Sequence, residues 1–309
     1  MPEGEDLPMT MRRDDWHGVL PALTTPFDDQ DRIDHRGLAA LVRRMLDGGC
    51  RGTVTPGSLG EGATLSLDEK VALWTTCVQA SEGRGPVIAS IAAASTREAI
   101  AQAEAARAAG CTGLMVLPPY VYRGDWAELR GHVGDVMRST PLSCMLYNNP
   151  PAYGSDFTPA HVAELAAAHG NLHAVKESSG DVRRVTGIRA LCGDRVAVLV
   201  GLDDCVVEGV RMGATGWIAG LANALPKESV ELFEATRTGD AARADRLYRW
   251  FLPLLRLDTH PKFVQYIKLV QAEACGDGER VRGPRRELAG EERAAILSLI
   301  RATLKSRPA

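Results

Sequence analysis

The stretch PLSCMLYNNPPAYGSDFTPAHVAELAAAHGNLHAVKESSG, residues 141–180, reads as strand, helix, strand. Each flank is a short apolar run, one around Met145 and one around Val175, of strand length and without alternation of polar and apolar positions. Between them Thr158 precedes Pro159, a capping hydroxyl followed by a proline suited to a first helical turn, and the Ala-rich segment closes on Gly170. Strands apolar on both faces belong to a parallel sheet covered by helices, and parallel neighbours need a helical crossover of this kind.

The same unit recurs roughly every 25 to 35 residues, as βα units do. Upstream strand candidates lie near Val19, Val54, Val87 and Met115, and downstream ones near Leu199 and Ile218, which makes eight in all. Helix-like segments begin at Arg36 and after Ser95, where Ser95 and Glu98 have capping-box spacing and Gly110 suits the far end. Eight units predict an α/β fold of the (β/α)8 TIM-barrel type. The open doubly wound sheet is the rival, but it brings a GxGxxG turn after its first strand, whereas TTPFDDQDR at 24–32 has no glycine. The expected organisation is a disordered segment over 1–15, the barrel over 16–225, and additional helices over 226–309 packed beside it.

Bulk properties narrow the function. A formal charge of -3 over 309 residues, with no long block of one sign, disfavours nucleic acid and anionic membrane, so a small-molecule ligand is expected. No segment approaches the roughly 20 apolar residues of a membrane span, and a soluble, cytoplasmic protein is expected. Seven scattered cysteines without a CxxC pair read as reduced core thiols, and the seven histidines show no zinc-ligand spacing, so no metal is expected.

Barrel chemistry sits where strands end. Lys176 lies inside an apolar run, where an amine is either paired or neutral, and a neutral amine attacks carbonyls. A pair with Glu177 is the structural alternative. Tyr147 ends the preceding strand, beside Lys176 around the rim, and suits proton transfer; anchoring the Pro150–Pro151 turn would explain it equally. The glycine-rich PGSLGEG from Pro56 presents backbone N–H groups and the Ser58 hydroxyl as an anion nest would. Tyr120 offers another hydroxyl or an aromatic packing contact, and the aspartates of GLDD at 201–204 read as helix caps.

Taken together, GSLGE at 57–61, YNNP at 147–150 and VKESSGD at 175–181 resemble the dihydrodipicolinate synthase and N-acetylneuraminate lyase superfamily, in order and in spacing. That resemblance implies a TIM barrel, usually a homotetramer, needing no metal or organic cofactor. It implies that Lys176 forms a Schiff base, that Tyr147 transfers protons, and that Ser58 links it to a second tyrosine. Tyr120 is the nearest candidate for that tyrosine, which in the family enters from a neighbouring subunit. Ser58 and Leu59 would hold the substrate carboxylate, Gly201 would let substrate approach the backbone, and Ile218 would line the pocket.

Two departures steer the reaction. Dihydrodipicolinate synthases carry an arginine about five residues after the catalytic tyrosine, where this chain has Ala152, and Leu59 replaces a usual threonine. No neighbouring residue replaces the lost guanidinium clamp, which disfavours dihydrodipicolinate synthesis. MLYNNPPAYGSDFTP, KESSGDVRRV, VGLDDCVVEG, GATGWIAGLANALP and LYRWFLPLLRLD look instead like 1-pyrroline-4-hydroxy-2-carboxylate deaminase, a hydroxyproline-degradation enzyme. The expected reaction opens that cyclic imine on Lys176, eliminates water and releases ammonia with 2-oxoglutarate semialdehyde. A 2-keto-3-deoxy sugar-acid dehydratase, a 4-hydroxy-2-oxo acid aldolase, a dihydrodipicolinate synthase-like protein and an inactive 2-oxo acid-binding barrel are the alternatives.

Overall fold

The computed structural model describes residues 10–308. Its strands are β1 Gly18–Pro21, β2 Thr53–Thr55, β3 Val87–Ile91, β4 Gly113–Val116, β5 Ser143–Asn148, β6 Leu172–Glu177, β7 Ala197–Val200 and β8 Gly216–Ala219. Each falls on one of the expected apolar runs. All pair in parallel in the order β1-β8-β7-β6-β5-β4-β3-β2. Between β1 and β2 the ring is completed by a bridge at Ala22 and Val54 and by backbone bonds from Arg51 N to Val19 O (2.8 Å) and Leu23 N to Val54 O (2.9 Å). The fold is the expected TIM barrel, nearly closed.

The helices are α1 His35–Asp47, α2 Leu67–Ser81, α3 Thr96–Ala108, α4 Trp126–Arg138, α5 Pro150–Tyr153, α6 Pro159–Ala168, α7 Arg183–Cys192, α8 Val206–Arg211, α9 Pro226–Thr238, α10 Ala241–Leu255, α11 Phe263–Cys275 and α12 Gly290–Lys305. Local chemistry starts them. Thr158 Oγ1 accepts from His161 N with Pro159 in the first turn of α6, and Ser66 with Glu69 forms a reciprocal capping box on α2. Ser95 accepts from Glu98 N at the start of α3 without the return bond from Glu98, half of the expected box. None of these helices is long and apolar enough to cross a membrane.

Two expected boundaries move. Helix α9 packs against β1 and α8, so it is the eighth helix of the barrel, and the appended helices are α10 to α12. Of the segment expected to be disordered, residues 1–9 lie outside the described residues, while Met11 is buried and its N–H reaches Thr112 O at 3.2 Å. Arg13–Asp15 adds one 3-10 turn. Met11 and Trp16 crowd Gly113 at the start of β4, and Trp16 Nε1 donates to Ser143 Oγ at 2.8 Å. Residues 10–16 therefore close the end of the barrel opposite the strand C-termini.

The appended helices are fixed to the other end by one buried ion pair. Lys268 on α11 donates to Glu61 Oε1 (2.7 Å), Thr25 O (2.8 Å) and Arg280 O (2.6 Å), with side-chain exposures of 2% for Lys268 and 0% for Glu61. The second Glu61 oxygen accepts from Arg282 N at 3.0 Å. Burial pulls the Lys268 amine below its ordinary value and the Glu61 charge opposes that pull. Glu61 itself has φ 55°, a left-handed conformation that costs a non-glycine residue on the order of 1 kcal/mol or more and that these contacts hold in place. Replacing Lys268 by Met leaves a buried carboxylate without its hydrogen-bonded cation, and denaturant unfolding should show a loss of about 3–5 kcal/mol. A loss under about 1 kcal/mol would mean that the pair does not anchor the turn.

Candidate active site

Tyr147 and Lys176 are Cα partners in the β5–β6 ladder, so their side chains rise together from the strand ends. Lys176 Nζ lies 4.1 Å from the centre of the Tyr147 ring, and both residues are buried. Glu177 points away from the amine. It accepts from Asn148 Nδ2 (3.0 Å) and Ser179 N (2.6 Å), so the lysine–glutamate pair held open as an alternative does not form. Burial lowers the Lys176 pKa, a pull opposed by whatever negative charge Asp258, Tyr153 and Asp203 carry. Gly201 makes room for the lysine: a Cβ there would stand 2.7 Å from Lys176 Cε and 1.9 Å from Ser178 Oγ.

The segment after β5 aims two phenols at the amine. Asn149 Oδ1 accepts from Ala152 N (3.1 Å) and caps α5, while Asn149 Nδ2 donates to Tyr147 Oη (2.9 Å). The short helix ends at Tyr153, whose ring meets Tyr147 edge-on at 5.6 Å and whose hydroxyl hydrogen-bonds Ser58 Oγ. Burial pushes both phenols above their ordinary range. Within the chain the hydroxyl on Ser58 thus belongs to Tyr153. Tyr120 lies 6.5 Å from the Tyr153 ring, centre to centre, and is not on the cavity wall.

A cavity of about 490 Å³ opens above these groups, walled among others by Ser58, Leu59, Tyr147, Tyr153, Gly201 and Ile218. The turn from Pro56 to Gly62 is closed by Glu61 N to Ser58 O (3.1 Å) and Gly62 N to Gly57 O (3.0 Å). Among the described residues no acceptor engages the amides of Ser58 or Leu59, which leaves them available to a carboxylate.

Sequence reading missed the far wall, which the C-terminal segment supplies. Asp258, His260 and Arg285 all face the cavity. Arg285 brings a guanidinium to the cavity wall that the sequence reading did not place there, with its Nη1 3.7 Å from Glu61 Oε2. The GLDD aspartates also differ from expectation. Asp203 caps no helix and instead accepts from Trp217 Nε1 (2.9 Å), Gly220 N (2.9 Å) and Leu221 N (2.7 Å), while α8 has no side-chain cap. No three His, Cys, Asp or Glu side chains among the described residues gather as metal ligands.

Residues 15–303 match the model of the dihydrodipicolinate synthetase family. The chain belongs to that family. It is 35% identical over 254 residues to a 4-hydroxy-tetrahydrodipicolinate synthase of Chelativorans sp., covering 81% of this chain and 87% of the relative. The corresponding enzyme of Agrobacterium fabrum is 33% identical over 86% of this chain and 91% of its own length. Among solved structures, a Bacillus anthracis dihydrodipicolinate synthase superposes with a TM-score of 0.89 at 28% identity, over 95% of this chain and 99% of that one. The Escherichia coli prophage protein YagE, solved in complex with pyruvate, gives 0.88 at 28% identity, over 94% and 99%. The chain is thus a member of a family of lyases acting on small molecules, and Ala152, Tyr153 and Arg285 are among the residues that wall its cavity.

Gly201→Ala forces Lys176 out of its track, and steady-state turnover should fall at least about tenfold, on the scale of a misplaced reacting group. Unchanged turnover would show that the lysine is not the reacting group.

Proposed function

We propose that this protein is a Schiff-base lyase in which Lys176 attacks the C2 carbonyl or imine carbon of a small 2-oxo acid derivative. The observation that carries the reading is a buried amine in van der Waals range of one phenol, with a second phenol joined to Ser58 and both facing one cavity. The buried amine attacks as the neutral base. Ser58 Oγ and the free amides of Ser58 and Leu59 receive the C1 carboxylate, and Tyr147 and Tyr153 carry protons between the adduct and solvent. Attack needs the deprotonated amine, so kcat/KM should rise with pH through the lowered Lys176 pKa.

Among substrates, we favour 1-pyrroline-4-hydroxy-2-carboxylate. Lys176 adds to C2 and ring opening leaves a protonated imine, an electron sink that acidifies C3. Loss of a C3 proton and the C4 hydroxyl gives water, a proton shift yields a C5 imine, its hydrolysis releases ammonia, and a second water hydrolyses the Lys176 imine to free 2-oxoglutarate semialdehyde and regenerate the amine. The C-terminal stretches through LYRWFLPLLRLD support this choice, as does Ala152, which removes the usual arginine. A dihydrodipicolinate synthase-like condensation is the second reading, favoured by the relatives' names and by Arg285 in the cavity. Dehydration of a 2-keto-3-deoxy sugar acid and retro-aldol cleavage use the same lysine. A homotetramer in which Tyr120 reaches a neighbour's site belongs to this proposal.

Incubation with the hydroxylated imine should yield ammonia and semialdehyde in equal amounts, and Tyr147→Phe should slow turnover on the order of 100-fold, as loss of a proton-transfer group does. Absence of ammonia alongside condensation of pyruvate with aspartate semialdehyde would replace the deaminase reading by the synthase one.

A further inference from the structure

We propose that Asp258 is the general acid that protonates the C4 hydroxyl as it leaves the Lys176-bound substrate; this rests on the eliminating lyase reading above. Asp258 lies in the turn Arg256–Thr259 between α10 and α11, and its side chain comes back over the end of β8 into the cavity that holds Lys176. The carboxyl packs on Gly220, where a Cβ would stand 2.4 Å from Asp258 Oδ1 and 3.3 Å from Asp203 Oδ2. Two carboxyl groups therefore share the surface of a single glycine.

Neighbouring carboxyls in a buried site do not both ionise at neutral pH, and the donors around them decide which one carries the charge. Asp203 accepts three N–H bonds, from Trp217, Gly220 and Leu221. Among the described residues the Asp258 carboxyl is given no such set of donors, the Asp203 backbone N–H being the one nearby. The charge settles on Asp203 and the proton on Asp258. Burial, then the Asp203 charge, holds the Asp258 carboxyl well above the carboxylate range, whereas burial raises Asp203 to about 6. The groups facing Asp258 are Asp203 and Asp204 after β7, Lys176 on β6 and Tyr147 on β5. Both phenols are pushed above their ordinary values, so Asp258 is the stronger acid facing the cavity.

Hydroxide is a poor leaving group and departs readily only as water. After C3 loses its proton, the enamine electron pair forms the C3=C4 double bond, the C4–O bond breaks, and its electrons take the Asp258 proton. Water leaves, the imine cation on Lys176 is restored, and the new Asp258 carboxylate is balanced by that cation until solvent returns its proton. The substrates that exploit this acid are those with a hydroxyl two carbons from the imine carbon.

Two steps can be read separately by NMR in D2O: deuterium entry at C3, and loss of the C4 hydroxyl. The probes are 1-pyrroline-4-hydroxy-2-carboxylate and an open-chain 4-hydroxy-2-oxo acid. Asp258→Asn should lower water loss on the order of 100-fold or more, within the range of general acid catalysis, while C3 exchange falls under about threefold. Asp258→Glu should recover part of the loss, and the alkaline limb of the wild-type profile, where the acid is deprotonated, should vanish in Asp258→Asn. An equal fall in both steps, unchanged water loss, or wild-type protein that eliminates water from neither probe would overturn the assignment. If wild type releases no ammonia from the imine yet dehydrates the open-chain acid in an Asp258-dependent way, the deaminase reading falls and the role of Asp258 stands.

Discussion

A lysine amine kept out of water is the constraint around which this site is organised. Lys176 sits at the end of a barrel strand, where burial costs the charged form several kcal/mol in an apolar setting. Among the described residues no carboxylate is hydrogen-bonded to it to offset that cost, and the neighbouring Glu177 is turned outward onto Asn148 and Ser179. The comparison with Lys268 is instructive. Lys268 is at least as buried, yet it is saturated by Glu61 and two carbonyls, which keeps it a cation and a structural clamp. Two buried lysines thus have opposite uses, set by what surrounds the nitrogen.

The Lys268 clamp and the cavity that holds Lys176 are physically linked. Glu61, which holds Lys268, is the last residue of the GSLGE turn, and the same turn presents Ser58 and the free amides to the cavity. The turn proposed to bind the substrate carboxylate is therefore held by the C-terminal segment. That segment also delivers Asp258, His260 and Arg285 to the cavity wall. In the proposed chemistry the barrel supplies the lysine and tyrosine, and the appended segment adds Asp258 and Arg285 to the same cavity wall.

How much was legible in the sequence follows from the range of the interactions. The eight strands and the Tyr147–Lys176 adjacency were readable, because consecutive parallel strands joined by a short helical crossover lie side by side in a barrel. The Ser58 turn was readable from its glycines. Tyr153 was missed because its place depends on a four-residue helix capped by Asn149, and Tyr120 had the more familiar position on a strand-end loop. Arg285 and Asp258 were missed because they follow the barrel by many residues and reach the cavity only through the path of α10 and α11. The boundary at residue 225 failed for a related reason: α9 follows the last strand in sequence, but its packing on β1 makes it part of the ring.

The central claim is that Lys176, of the six lysines in the chain, is the one that reacts. Reduction with borohydride in the presence of pyruvate, followed by peptide mass spectrometry, tests it most directly. The account predicts one pyruvate-derived adduct per chain, on the peptide containing Lys176. No adduct, or an adduct carried by Lys268 or another lysine, would contradict it.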